Sequence, residues 1–132
     1  MRAFFGHNAD GPLVALSDDG TVLAVALGNA VDNEPLALFD RALADAGRRA
    51  SEVNEVAVDC GPDGFSTVRR RVAVAAGLAV ALDAAVVATG YIAPDQAAAL
   101  PSSDFKKGIA LTPVYDRAPN ITTSKKKGPL ER

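Results

Sequence analysis

Short apolar runs separated by turn signals fill the first part of the chain. Ala3–Phe5, Pro12–Leu16 and Thr21–Leu27 are such runs, and an Asp-Asp-Gly segment at 18–20 separates the second from the third. An Asp-Gly pair between two apolar runs is typical of a β-hairpin. The pattern therefore predicts three opening strands, with the last two joined by a tight turn.

Helical spacing replaces these runs after residue 31. Leu36, Phe39 and Leu43 recur at the interval of one helix face. The Asp-Asn pair at 32–33 is suited to cap this helix, because either side chain can accept from a free backbone N–H. Gly47 is suited to end it, because glycine adopts the left-handed conformation without strain.

Residues 53–90 predict a strand–loop–helix–strand unit. Glu55–Asp59 is one strand, the helix runs from about residue 67 to residue 82, and Ala84–Ala88 is the next strand. That last run is apolar on both faces, as in strands at the centre of a parallel sheet, so we expect it to lie centrally.

The remaining elements complete an α/β pattern. Ala93–Leu100 predicts a third helix, and the runs at 109–111 and 114–115 predict an extended segment. The order βββαβαβα predicts a mixed sheet with helices packed on it. We place one domain at residues 1–100 and a basic, partly flexible C-terminal extension at residues 101–132.

Composition limits the class of protein. The 132 residues are 48% hydrophobic, which is sufficient for one core. Cys60 is the only cysteine, so no disulfide forms within the chain. The richest apolar window, Val72–Ala88, is interrupted by Asp83 and falls short of the ~20 residues of a membrane span. We expect a cytoplasmic protein that does not contact a membrane.

Charge is unevenly distributed. Residues 1–103 hold 7 Lys and Arg against 13 Asp and Glu, whereas residues 104–132 hold 7 against 3. The lysines at 106–107 and 125–127 could meet nucleic-acid phosphates, but lysine-rich tails are more often solubilising arms and aromatic residues for base stacking are scarce. We expect contact with a nucleic acid to be indirect at most.

The loop after the fourth strand brings polar and flexible residues together. An anion could bind to backbone N–H groups at the start of the following helix, reinforced by the arginines at 69–71. The alternative, which we favour, is a tight turn with solvated or self-paired arginines. The candidate binding loop comprises Gly61, Pro62, Gly64, Phe65, Ser66 and Arg69.

Catalytic groups are sparse. Two-metal hydrolysis needs several carboxylates that converge on one site. Asp59 ends the fourth strand, but the first strand contains no acidic residue and Asp10 lies in the turn that follows it. We therefore expect no metal, no catalytic residue, and Asp59 bonded to loop amides. His7 and Cys60 could meet at one sheet edge as a nucleophilic pair, but a lone cysteine after a valine run is usually a small buried hydrophobe.

The second helix favours a subunit contact. From Val72 to Leu82 it contains no charged residue, and a helix that is apolar all round is usually buried on both sides. A chain this small covers one side, so we expect another subunit on the other. The candidate interface comprises Leu36, Phe39, Leu43, Val72, Ala76 and Ala79.

These segments resemble the TsaB (YeaZ) family, a Gcp-like or glycoprotease M22-like group of bacterial proteins that help make threonylcarbamoyladenosine on tRNA. Gly61, Pro62, Phe65 and Arg69 match its loop, and the run Gly77–Ala79 matches its following helix. Further matches are Val86-Val87 and the run 113–119.

The chain also departs from the family pattern. The family opens with Asp-Thr-Ser where this chain reads Gly6-His7-Asn8, and its loop has Gly, Ser and Gly where Asp63, Gly64 and Thr67 stand here. Arg70 and Arg71 replace Ile and Gly, and most of a second half-domain is missing. The chain is thus similar to a divergent, shortened member.

The resemblance implies a ribonuclease-H-like half-domain of the actin-like ATPase superfamily. It implies a non-catalytic subunit that homodimerises or supports a TsaD-like subunit, with a TsaE-like partner, in t6A37 modification of tRNA. No cofactor is then required, and ATP or ADP would bind only at an interface with the TsaD-like subunit. Two alternatives stay open: a nucleotide-hydrolysing or peptidase-like enzyme of the same superfamily, and a diverged structural dimer.

Overall fold

The computed structural model describes residues 1–62 and 64–114, with Phe65 described through its backbone alone. Asp63, the end of the predicted extended segment at Tyr115, and the lysines at 125–127 lie outside the described residues. Within them, no helix is long and apolar enough to cross a membrane.

A five-stranded mixed sheet forms the centre of the molecule, in the order β3-β2-β1-β4-β5. The first three strands are antiparallel neighbours, whereas β4 is parallel to β1 and β5 is parallel to β4. The elements are β1 (Arg2–Asn8), β2 (Gly11–Asp18), β3 (Thr21–Leu27), α1 (Pro35–Ala46), β4 (Glu55–Asp59), α2 (Phe65–Leu82), β5 (Ala85–Thr89) and α3 (Pro94–Ala98). The predicted α/β order is confirmed.

Two details of the prediction are wrong. β5 lies at the edge of the described sheet rather than centrally. It is apolar on both faces because both faces are covered: Val86 packs into the larger core cluster, and Val87 packs against the smaller cluster on the other face of the sheet. Val86 also exchanges two backbone hydrogen bonds with Lys106. Glu34, not residue 32 or 33, precedes α1 and makes no side-chain cap. Residues 109–111, where the sequence predicts an extended segment, belong to no helix or strand.

One face of the sheet carries α1 and α2 over the larger core cluster. Phe39 of α1 packs on Phe5 of β1, with ring centroids 5.8 Å apart. Val68 and Val72 of α2 lie in the same cluster. Each large side chain buried there contributes about 1.5–3 kcal/mol to stability. Gly47 ends α1 with φ 66°, as the sequence predicts.

The other face carries a smaller cluster under α3, held by a buried arginine. Arg2 Nη1 donates to the carbonyls of Ala97 and Leu100, each at 2.8 Å, and so bonds the end of α3. Its Nη2 donates to Glu55 Oε1 at 2.9 Å. The guanidinium lies 4.2 Å from the ring centroid of Phe105. Arg2 therefore joins the sheet to the elements that cover this face.

Arg48 forms ion pairs with two carboxylates, and these contacts make the stability of the fold depend on pH. Its Nη2 donates to Asp18 at 2.9 Å and its Nε to Glu52 at 2.6 Å. The bond from Arg48 lowers the pKa of Asp18. The bond from the backbone N–H of Arg49, and then that from Arg48, lowers the pKa of Glu52. Both carboxylates thus favour the folded state while they are ionised.

We expect this contribution to be present above the unfolded pKa values, about 3.9 and 4.3, and lost as pH falls through the lower folded values. Arg48→Gln should lower the urea midpoint at neutral pH but leave it nearly unchanged at about pH 2.5. Urea denaturation at both pH values tests this. An equal gap between variant and wild type at both would contradict it.

Candidate functional site

The carboxyl ends of β1 and β4 meet at one edge of the sheet, because the two strands are parallel neighbours. His7 stands near the end of β1 and Asp59 at the end of β4. The loop that follows β4 leads directly into α2 at the same edge. Two chemically active side chains and a helix start are therefore brought together here.

Asp59 is completely buried and is the centre of this arrangement. The backbone N–H of Gly61 donates to its Oδ1 at 2.9 Å. The Nε of Arg71 donates to its carbonyl oxygen at 2.7 Å, and Arg71 Nη2 lies 3.7 Å from Oδ1. The prediction that Asp59 bonds a loop amide is confirmed. Through its carboxylate and its carbonyl oxygen, Asp59 holds the loop and the first turns of α2 in place.

Arg71 is 1% exposed and pairs with Asp59, so of the two predicted states, solvated or self-paired, it adopts the second. It lies on the inward stripe of α2 with Val68, Val72 and Ala75. The neighbouring Arg70 is exposed and pairs with Glu34 at 3.1 Å. The signal for burial was the helical interval of three and four residues that places 71 beside 68 and 75.

His7 meets Asp59 rather than Cys60. Its Nδ1 lies 2.7 Å from Asp59 Oδ2, and its side chain is one fifth exposed. The two side chains are in close contact there, so Asp59 helps to fix the orientation of the imidazole ring. The ring of Tyr91 packs on the imidazole, with centroids 4.8 Å apart.

Cys60 is a buried thiol rather than a nucleophile. Burial raises its pKa, and the neighbouring charge of Asp59 raises it further. Both effects disfavour the reactive thiolate. The alternative of a Cys60–His7 catalytic pair is therefore not supported by the arrangement of these residues.

A cleft of about 380 Å³ opens beside His7 at the start of α2. Ser66 from the candidate binding loop and the exposed Arg70 line it, together with Asn33 and Asp10. Gly61 is buried beneath the loop, and Gly64 precedes the first residue of α2. Among the described residues, no three His, Cys, Asp or Glu side chains are placed to hold a metal ion.

The other loop residues separate by position. Pro62 and Arg69 are exposed, and neither lines the cleft. The side chain of Phe65 lies outside what the structure describes. The structure therefore brings Ser66 to the cleft, whereas Gly61 bonds Asp59 through its backbone N–H.

The predicted helical interface needs correction. Phe39, Leu43, Val72 and Ala79 are buried in the core of the single chain, so they offer no surface to a partner. Helical spacing points to these residues because the most apolar stripe of each helix is also the one that packs on the chain's own sheet. Of the six candidates, Leu36 is 48% exposed and Ala76 is half-buried.

The outer face of α2 is the apolar surface that remains. It comprises the exposed residues Ala73, Gly77, Val80 and Ala81. Val80 is 84% exposed. A side-chain carbon added at Gly77 would meet no atom within 4 Å. This face is therefore open, small-featured and without charge.

No protein-family model matches the chain, and no curated protein matches it. Among solved structures it is similar to YeaZ from Pseudomonas aeruginosa, with 28% identity and a TM-score of 0.58, over 67% of this chain and 42% of that chain. A structure described as an uncharacterized protein with similarity to peptidase YeaZ from Pseudomonas aeruginosa matches at 27% identity and TM-score 0.58, with the same coverage.

The resemblance to YeaZ inferred from the sequence is confirmed over two thirds of this chain. The fold is that of a YeaZ-like, ribonuclease-H-like half-domain. The chain spans less than half the length of either solved protein.

Proposed function

We propose that this YeaZ-like chain is a non-catalytic interaction subunit that supports a TsaD-like subunit in t6A modification of tRNA or associates with a second copy. The observation that carries the proposal is the outer face of α2, which presents apolar atoms to solvent with no charge from Val72 to Leu82. ATP or ADP then binds only at the shared interface, a TsaE-like subunit joins the complex, and tRNA contacts are indirect.

Small side chains make this face suited to helix packing. Ala73, Gly77 and Ala81 let a partner helix approach closely, since no long side chain holds the two backbones apart. Val80, which is 84% exposed, supplies a larger apolar group on this face. Removing such atoms from water favours association by about 25 cal/mol per Å² of apolar area.

The geometry of Asp59 supports a non-catalytic role. The carboxylate is directed into the protein, where Gly61, His7 and Arg71 surround it. A two-metal hydrolase instead needs carboxylates that converge on open coordination sites. The contacts of Asp59 fit a structural role, in which it holds the loop before α2 in place.

We expect Ala73→Glu to abolish co-purification with a TsaD-like subunit while the chain stays folded. Ala73 is exposed in the single chain, so the charge is costly only when a partner desolvates it. Affinity pull-down from host extract measures the loss, with circular dichroism as the folding control. Ala99→Glu, also at an exposed alanine, is the matched variant near the end of α3. Equal recovery with both variants would contradict the proposal.

The same experiment separates the remaining alternatives. Self-association without recovery of any TsaD-like subunit favours a diverged structural dimer. The His7–Asp59 contact beside the cleft is the observation that favours a nucleotide-hydrolysing or peptidase-like enzyme. Turnover of ATP or of a peptide by the wild type, abolished in His7→Gln, would replace the proposal with that activity.

A further inference from the structure

The cleft beside His7 is used neither by the structural role of Asp59 nor by the outer face of α2. Three segments border it: the turn between β1 and β2, the loop between β3 and α1, and the first two turns of α2. Its volume of about 380 Å³ lies within the ~300–1,000 Å³ of typical small-molecule sites. The cleft is therefore large enough for a small metabolite.

Close backbone packing joins two of these segments. The N–H of Gly28, at the start of the loop, donates to the carbonyl of Pro12 at 2.8 Å. A side-chain carbon at Gly28 would lie 2.9 Å from Pro12 Cγ and 3.0 Å from the carbonyl oxygen of Asp32, so a larger residue would push the two segments apart. Arg41 Nη1 donates to Asp32 at 2.8 Å and ties the loop to α1. Walls fixed in this way lower the ordering cost of binding a ligand.

Two exposed charges of opposite sign line the cleft. Asp10 lies in the turn after β1, and Arg70 lies in the second turn of α2. The charge of Arg71, which also lines the cleft, is opposed by Asp59. Among the described residues, the exposed charges of the lining therefore cancel. A polyanion such as a nucleotide phosphate gains little from such a lining, whereas a small zwitterion has a partner for each of its charges.

Both charged side chains are able to bind a ligand. Arg70 Nη1 contacts Glu34 at 3.1 Å, but a guanidinium has five N–H donors and can bind a second carboxylate through the others. The side-chain oxygen of Asn8 accepts from the backbone N–H of Asp10 at 2.9 Å and so fixes the turn that carries the Asp10 carboxylate. Ser66 adds a hydroxyl group to the lining.

Apolar residues complete the lining. Pro12, Ala30 and Pro35 contribute two rigid rings and a methyl group. Such a surface suits a short aliphatic side chain, which loses contact with water when it packs there.

We propose that the cleft binds a free α-amino acid with a small aliphatic side chain. The carboxylate of the ligand pairs with Arg70, its ammonium group pairs with Asp10, and its side chain packs on Pro12 and Pro35. This assignment uses each kind of group that the lining offers and leaves neither exposed charge of the cleft without a counterpart.

NMR titration of the full chain with L-valine tests the proposal, with the side-chain amide of Asn33 in the lining as a local reporter. We expect a saturable shift of this signal. Isovalerate lacks only the ammonium group of L-valine, and isobutylamine lacks only its carboxylate. Each should bind at least about tenfold more weakly than L-valine, because each loses one charge-assisted contact.

Substitution of either charged residue should weaken binding. Asp10→Asn and Arg70→Gln should each raise the dissociation constant for L-valine at least about tenfold. Both residues are exposed, so both variants should fold. Asp19→Asn and Arg49→Gln are the matched controls, at exposed residues outside the cleft, and should leave the dissociation constant unchanged.

A third variant distinguishes direct contact from a structural effect of the Arg70–Glu34 pair. Glu34→Gln keeps the guanidinium and removes its carboxylate partner within the chain. L-valine should then bind as tightly as to the wild type or more tightly, because Glu34 no longer competes for Arg70. If Glu34→Gln weakened binding as much as Arg70→Gln does, the contact between Arg70 and the ligand would be refuted.

Three other results would overturn the proposal. They are the absence of a saturable shift with L-valine, equal affinity for L-valine and either truncated analogue, and a shift with inorganic phosphate or ATP but none with L-valine. The last result would favour the nucleotide-hydrolysing alternative. None of them affects recovery of a TsaD-like subunit, because Ala73, Gly77 and Val80 of the outer face of α2 do not line the cleft.

Discussion

Asp59→Ala is expected to lower the free energy of unfolding by about 3–5 kcal/mol, because it leaves the charge of Arg71 buried without its carboxylate. Asp59 is completely buried and Arg71 is 1% exposed, so little water is available to replace the lost partner. The substitution also removes the acceptor for the Gly61 N–H and the carboxylate that His7 Nδ1 contacts at 2.7 Å. Urea or thermal denaturation measures the loss.

Two further variants show whether the cost comes from the buried charge. Arg70→Ala removes the neighbouring arginine, whose pair with Glu34 is exposed, and should cost less than about 1 kcal/mol. The double variant Asp59→Ala with Arg71→Met should be more stable than Asp59→Ala alone, because the unpaired cation is gone. If the single and double variants were equally unstable, lost packing rather than charge would explain the effect.

Arg2→Ala is expected to cost about 3 kcal/mol, the scale of a broken buried ion pair with unmet hydrogen bonds. The side chain is buried and donates to Ala97, Ala98 and Leu100, so its removal leaves carbonyls at the end of α3 without their donor. It also leaves Glu55 without its cation. We expect α3, which covers the second face of the sheet, to loosen first. Faster amide hydrogen exchange in α3 would measure this.

A matched exposed arginine and a conservative change test this role. Arg49→Ala should change stability by less than about 0.5 kcal/mol, since that residue is exposed. Arg2→Lys should recover part of the loss, because an ammonium supplies charge but lacks the planar fork that serves Glu55 and the helix end together. Unchanged exchange in α3 after Arg2→Ala would show that α3 is held by apolar contacts alone.

Local pattern was enough to predict the order of strands and helices. The hairpin at 18–20, the end of α1 at Gly47 and the bounds of β3 follow from turn chemistry and side-chain spacing. Each depends on residues close along the chain, so a single sequence contains the information. The apolar run before it likewise predicts that Asp59 ends a strand and lies beside a loop amide.

The pairing of distant side chains could not be obtained that way. Asp59 meets His7 because β1 and β4 are parallel neighbours, and a count along the chain does not contain that fact. The choice between Phe39 inside and Leu36 outside depends on which side of α1 meets the sheet. Periodicity shows that an apolar stripe exists, whereas packing alone sets which surface is left for a partner, because burial is a property of the whole assembled fold.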